Sequence, residues 1–181
     1  MRIISGSLRN RRLVEGPAKA TRPTTDLVRG ALFNILQNRV DGCRFLDLFA
    51  GTGAVGLEAW SRGAAEVVWV EWDGRAYAAC KGNVAALAPD ATAGLQRVKA
   101  RDYLERAGEP FDVIFADPPY AKDLGELMAL VAARLTPSGI FIAEHATGEA
   151  PVAGSGLTAT FNKVYGGSAL SGFVPAGPPE I

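Results

Sequence analysis

The stretch Asp47-Leu48-Phe49-Ala50-Gly51-Thr52-Gly53-Ala54-Val55-Gly56 decides the fold. It follows a short apolar run, 44–49, and opens a helical stretch at about 54–62; that strand–turn–helix setting is what gives a glycine loop meaning. Gly51 and Gly53 permit a tight turn with close approach of a ligand to the backbone, and Gly56 lets the helix lie close on the sheet. Outward from the loop, apolar runs at 66–71, 95–99, 111–116 and 140–144 alternate with helix candidates at 74–87, 102–107 and 123–135. Most of these runs are nearly continuous, as expected of strands buried on both faces of a parallel sheet. Strand and helix in repetition mean βαβ units wound on both sides of one sheet.

The two ends of the chain read differently. Segments 157–164 and 169–174 flank Tyr165-Gly166-Gly167-Ser168, a hairpin signal that adds two antiparallel strands and brings the sheet to seven. Residues 2–14 alternate loosely and break at 5–10, which predicts a small β-hairpin with Gly6 in or near its turn. Thr24 or Thr25 then caps a helix to about Asn38, with Leu27, Val28, Ala31, Leu32, Ile35 and Leu36 on one face. The expectation is one α/β domain over 1–181, with a basic arm at 1–24 and a loose proline-rich tail at 175–181.

Composition narrows the class. Apolar residues make up 48% and charged residues 21% of 181, an ordinary globular balance. No run approaches the roughly 20 apolar residues of a membrane span, and no apolar segment follows Arg2 and Arg9 as in a signal peptide, so a cytoplasmic protein is expected. Cys43 and Cys80 lack a disulfide or zinc pattern and read as packing, and no metal site is expected. Net charge is zero, yet residues 1–30 hold seven basic side chains (Arg2, Arg9, Arg11, Arg12, Lys19, Arg22, Arg29) against Glu15 and Asp26. A basic arm on an acidic body is a plausible phosphate-contacting surface.

Acids at the strand ends sharpen the ligand. Asp47 stands where a dinucleotide fold would avoid negative charge beside a pyrophosphate; it suits a cationic group such as the amino group of S-adenosylmethionine. Glu71 closes the second run, where a carboxylate can accept from ribose hydroxyls. Asp102, taken as the end of the third run, is placed to reach the exocyclic amine of an adenine. Carboxyl ends of parallel strands are where open α/β sheets bind ligands.

The fourth run, 111–116, leads directly into Asp117-Pro118-Pro119-Tyr120. Two prolines end the strand and stiffen the loop, and since neither donates, the carbonyls there stay available as acceptors. A purine amine is a poor nucleophile because its lone pair is delocalised into the ring. The Asp117 carboxylate and Pro118 carbonyl can grip its two N–H bonds and turn the lone pair toward a methyl donor, so that positioning lowers the barrier. Tyr120 offers a flat face for a base taken out of its helix. His145, the only histidine, reads as a surface or capping residue rather than a general base.

The D-x-F-A-G-T-G and D-P-P-Y motifs resemble those of class I (Rossmann-like) methyltransferases acting on exocyclic amines of bases or on glutamine amides. Arg2-Ile3-Ile4-Ser5-Gly6, Thr21-Arg22-Pro23-Thr24-Thr25-Asp26, Arg29-Gly30-Ala31-Leu32-Phe33-Asn34 and Leu57-Glu58-Ala59 with Ser61-Arg62-Gly63-Ala64 resemble the RsmD family over nearly the whole chain. That resemblance implies methylation of the N(2) amine of a guanosine in 16S ribosomal RNA, free or in an assembling 30S particle, by a monomer using S-adenosyl-L-methionine. The candidate cofactor set is Asp47, Phe49, Gly51, Thr52, Gly53, Glu71, Trp72, Asp102, Tyr103 and Asp117. The catalytic set is Asp117, Pro118, Pro119 and Tyr120; Arg2, Arg9, Arg11, Arg12, Arg22 and Tyr120 would face RNA. Two other readings use the same motifs: methylation of adenine N(6) or of a glutamine amide, and a nucleoside- or RNA-binding module without catalysis. A glutamine enzyme usually carries Asn at position 117, and a DNA enzyme usually adds a target-recognition domain.

Overall fold

The computed structural model describes residues 1–15, 26–119, 121–154 and 156–177, with the side chains of 121–123 outside that description. In chain order the elements are α1 (Asp26–Leu36), β1 (Arg44–Leu48), α2 (Ala54–Ser61), β2 (Glu66–Val70), α3 (Gly74–Leu87), β3 (Leu95–Gln96), α4 (Ala100–Leu104), β4 (Phe111–Ala116), α5 (Ala121–Ala133), β5 (Leu135–Ala146), β6 (Leu157–Tyr165) and β7 (Ser168–Pro175). They form one seven-stranded sheet in the order β3-β2-β1-β4-β5-β7-β6. The first five strands are parallel, and β7 joins antiparallel to β5 and to β6. The α/β class and the mostly parallel sheet agree with the sequence pattern.

Each central strand divides its side chains between two apolar layers, which is why its sequence is continuously apolar. Phe45, Trp69, Val113, Phe115 and Ile142 meet Leu32, Phe33, Leu57, Cys80 and Val84 from α1, α2 and α3. Leu46, Leu48, Val70, Ile114 and Phe141 meet Leu104, Leu127, Met128 and Val131 from α4 and α5. Fully burying side chains of this size stabilises by about 1.5–3 kcal/mol each before conformational entropy is charged against it. The period of two also fixes the acids: Asp47, beside Phe45, projects to the α2 face at the carboxyl end of β1.

Several boundaries differ for physical reasons. β3 stops at Gln96, three residues short of expectation, because it is an edge strand pairing only Trp69 and Val70 of β2. β5 runs well past 140–144 because β7 pairs it as far as Ala146. On α1, Leu27 is exposed and Phe33 takes a place in the buried face. The N-terminal hairpin reduces to one bridge, Arg2 to Arg12, with Ile3 N–H bonded to Arg11 O (3.0 Å) and Asn10 N–H to Ile3 O (2.9 Å). Gly6, in its turn, has φ +82°, and a Cβ there would lie 1.8 Å from the Ser61 carbonyl oxygen. The C-terminal turn falls at Gly166-Gly167, with Tyr165 facing Ser168. Pro175 pairs with Leu157 and Ala176 N–H bonds Gly156 O (2.9 Å), so the ladder enters the segment expected to be loose; 178–181 lie outside the described residues, as do Thr24 and Thr25.

Candidate active site

The glycine loop is held from below and from both sides. Phe49, Gly51 and Gly53 have φ of +61°, +59° and +79°. For phenylalanine that left-handed backbone costs on the order of 1 kcal/mol and persists only where the surroundings impose it. They do so through backbone amides. Ala50 N–H bonds Val70 O at 3.0 Å and Gly53 N–H bonds Ala50 O at 2.8 Å. Gly51 N–H donates to Glu71 Oε2 and Gly56 N–H to Asp47 Oδ2, each at 2.9 Å. Underneath, the buried Trp69 indole donates to Gly53 O at 3.3 Å, and a Cβ on Gly56 would fall 2.1 Å from its Nε1. Cys80 Sγ closes the floor beneath Gly53, and burial, reinforced by the charges of Asp47 and Glu71, pushes its thiol well up from its ordinary value. Cys43, likewise buried, is raised to about 12, first by desolvation and then by Asp112. Both cysteines are packing residues.

This arrangement gives the two acids a duty the sequence reading did not assign. Asp47 and Glu71 are 1% and 5% exposed and fasten the loop through its own amides, and Glu71 Oε1 also takes Asp73 N–H at 2.9 Å. Loop amides turned toward carboxylates are not presented to a phosphate. A phosphate-cradling loop works the other way, with its N–H groups aimed at the ligand. Beyond Glu71, Trp72 is 62% exposed, with Lys99 Nζ 5.7 Å from its ring centroid. A flat apolar face beside a loop that carries negative charge and offers few amides fits a phosphate-free nucleoside bearing a cation, which is the chemistry of S-adenosylmethionine.

The proline loop lies next door. Leu48 of β1 is in register with Ala116 of β4, so Phe49 and Asp117, the next residues in each strand, leave the sheet side by side. Adjacent strands are about 5 Å apart. Between β1 and β4 the strand order reverses direction, since β2 and β3 lie on one side and β5 on the other. Such a switch point opens the crevice in which α/β sheets bind their ligands. Asp117 and Pro118 are half-buried there and Pro119 is exposed; Tyr120 lies outside the described residues. Gly51, Thr52, Gly53, Glu71, Trp72, Asp117 and Pro118 therefore gather at one end of the sheet.

Two candidates lie on α4. Asp102 is exposed in the first turn of α4 instead of ending β3, because that strand peels away early from the sheet edge. Tyr103, on the same short helix, packs into the α5-side layer, with the Arg134 guanidinium 5.6 Å from its ring. Arg134 also lies 5.5 Å from the Phe111 ring, at the amino ends of β4 and β5 and so away from the loop. His145 is buried, not superficial: its ring nitrogens meet Ala146 O and Ser171 Oγ, both at 2.8 Å, fastening β5 to β7.

The arm docks on α2. Glu58, fully buried, accepts from Ile4 N–H (2.7 Å) and Ser5 N–H (2.9 Å) and pairs with Arg62 at 2.8 Å and Arg29 at 3.7 Å. Ser61 Oγ donates to Ser5 O (2.6 Å) and accepts from Leu8 N–H (2.9 Å). Arg29 is also fully buried, bonded to Arg2 O and Asp26, so one of the seven N-terminal cations is withheld from any polyanion. Arg2, Arg9, Arg11 and Arg12 are all exposed on the docked arm, whereas Arg22 lies outside the described residues. The sequence held one signal for the clamp, a lone acid inside the apolar helix Ala54–Ser61. Among the described residues no helix is long and apolar enough to cross a membrane.

Comparison with known proteins places this architecture. A family model described as conserved hypothetical protein 95 matches residues 1–174. YlbH of Bacillus subtilis (strain 168), named as a candidate rRNA methyltransferase, is 38% identical over 92% of this chain and 94% of its own length. Ribosomal RNA small subunit methyltransferase D of Escherichia coli (strain K12) is 40% identical over 129 residues, 70% of this chain and 63% of that relative. The chain belongs to the RsmD family. A solved structure, the candidate methyltransferase yhhF from Escherichia coli, superposes with a TM-score of 0.83 at 31% identity, covering 98% of this chain and 99% of that one. The family match includes the N-terminal arm as well as the sheet.

Proposed function

We propose that this chain is an S-adenosylmethionine-dependent RNA methyltransferase whose target is the exocyclic N(2) amine of a guanosine in small-subunit ribosomal RNA. The observation that carries the reading is the register of β1 with β4, which sets the glycine loop and the Asp117 loop side by side at the switch point. The names of the relatives supply the RNA class, and the DPP sequence supplies the amine. S-adenosylmethionine, when bound, supplies an electrophilic methyl group. The chain's own residues do the rest. Glu71 and Asp47 hold the loop that seats the nucleoside end, and Trp72 offers a face for its base. The Asp117 carboxylate and the Pro118 carbonyl accept the two N–H bonds of the target amine and orient its lone pair. Once the N–C bond has formed and the carbon–sulfur bond has broken, the nitrogen sheds one proton to Asp117 or to water. Tyr120 stacks on the extruded base, and Arg2, Arg9, Arg11, Arg12 and Arg22 contact phosphates. Asp at position 117, where a glutamine enzyme usually has Asn, favours a base.

The test is transfer of labelled methyl groups to undermethylated 30S particles and to naked 16S RNA, followed by mass-spectrometric mapping. One N(2)-methylguanosine, absent with Asp117→Ala, is the expected result. Label found only on DNA, on protein or on an adenine overturns the assignment.

A further inference from the structure

Asn83, on α3, is 2% exposed and belongs to neither loop nor arm, yet its side chain touches both. Its Oδ1 accepts Val14 N–H at 2.8 Å, and its Nδ2 donates to Val14 O at 3.0 Å and to Thr52 O at 3.0 Å. Val14 stands two residues beyond Arg12 on the arm, and Thr52 sits between Gly51 and Gly53. We propose that Asn83 is a positioning residue that fixes the basic arm relative to the glycine loop, so that RNA and cofactor are seated in one frame.

The chemistry of the amide makes the case. Pairing with both the N–H and the C=O of one residue needs a donor and an acceptor on one rigid plane, as in a strand, and the Thr52 carbonyl uses the amide's second N–H. Asp at this position would keep the acceptor and lose both donors; Leu would fill the volume and lose all three bonds. Core filling alone does not call for a buried amide, which destabilises wherever its bonds are missing. The other arm contacts reach α2, through Glu58 and Ser61, and α1, through Arg29. Among the described residues, the bonds of Asn83 join the arm to the loop.

The inference rests on the proposed RNA role of the arm, so the test separates its two halves. Calorimetry gives the Kd for S-adenosylmethionine, and turnover on undermethylated 30S particles gives the KM for RNA and kcat. Asn83→Ala should raise both constants about fivefold or more, the worth of roughly one neutral hydrogen bond at each contact. Val14→Pro, which removes the N–H that Asn83 accepts and fixes φ at that position, leaves the Thr52 bond intact and should raise the 30S KM with the cofactor Kd within twofold of wild type. If Asn83→Ala lowers Tm while both constants stay within twofold, the residue is merely structural and the proposal fails. Should Asn83→Ala not fold, an unchanged 30S KM in Val14→Pro overturns it equally. A wild-type chain that binds cofactor but turns over no RNA refutes the RNA reading instead, and the effect of Asn83→Ala on cofactor Kd still decides the loop half.

Discussion

The glycine loop after β1 and the proline loop after β4 leave neighbouring strands at the same level, but they are built on opposite plans. In the first, amides at Ala50, Gly51, Gly53 and Gly56 are all engaged, Trp69 and Cys80 fill the floor, and the two acids are almost wholly buried. In the second, stiffness comes from the covalent rings of Pro118 and Pro119, and the residues stay half-buried or exposed. A loop that seats a cofactor can be rigid through contacts made on folding. A loop that must grip an incoming amine has to keep acceptors accessible, so its rigidity is better placed in the backbone itself. Damage to the first should therefore cost fold, and damage to the second should cost chemistry.

Asp117→Ala is the strongest way to break that contrast. Turnover should fall at least about 100-fold, because the amine loses an acceptor that aligns it, while Tm moves by no more than a degree or two. A large Tm loss, or turnover within tenfold of wild type, would mean that the proline loop is structural. Gly56→Ala is the opposite case. Its Cβ would meet Trp69 Nε1 at 2.1 Å, with Cε2 at 2.7 Å, against an indole that has no free space. Overpacking of this kind costs about 3 kcal/mol, read as a drop in the denaturant midpoint, and cofactor binding should weaken because the loop is displaced. If stability is unchanged, Trp69 is not the rigid floor described above.

How much of this could be read from residues alone follows the same division. The doubly wound sheet was legible because central strands are apolar on both sides, and the loop because glycines between a strand and a helix have few other uses. Asp102 falls on α4 rather than at the end of β3, because the sequence between Leu95 and Lys99 holds no turn signal to stop a strand, while the sheet edge pairs only its first two residues. The packing of Tyr103 against Arg134 was not legible either, since a local pattern does not say which end of a layer a ring will reach. Glu58 was visible as an acid out of place in an apolar helix, but its partners lie 53 and 54 residues away at Ser5 and Ile4. Asn83 gave no signal at all: it is one polar residue in a mixed helix, and its meaning is wholly tertiary.

Glu71→Gln sharpens the contrast from within the glycine loop. Each carboxylate oxygen accepts one amide, from Gly51 and from Asp73. Glutamine can accept one of them and must turn its NH2 toward the other, leaving a donor facing a donor, at a cost of about 1–3 kcal/mol. The expected result is a cofactor Kd roughly tenfold weaker with a modest Tm loss, and kcat at saturating cofactor near wild type. A fall in kcat with unchanged Kd would move Glu71 from seating the nucleoside to the reacting centre.

The smallest effect is expected at the other end of the sheet. Arg44 Nε and Nη2 bond the Glu66 carboxylate at 2.7 and 2.9 Å, and these hydrogen bonds hold Glu66 below its ordinary value of 4.5. A carboxyl with a depressed folded-state pKa contributes stability that is present above its unfolded value and is lost as pH falls through the folded one. Because Glu66 is 47% exposed, water screens the pair, and its worth is under about 1 kcal/mol. Glu66→Gln should therefore unfold slightly earlier than wild type at pH 7, and the two curves should converge as pH drops below about 4.5. Cofactor Kd and turnover should not change, since Arg44 and Glu66 open β1 and β2 at the ends away from both loops. Impaired methyl transfer in this variant would show that the two ends of the sheet are coupled, and the division of labour between the loops could then no longer be assigned to the carboxyl ends alone.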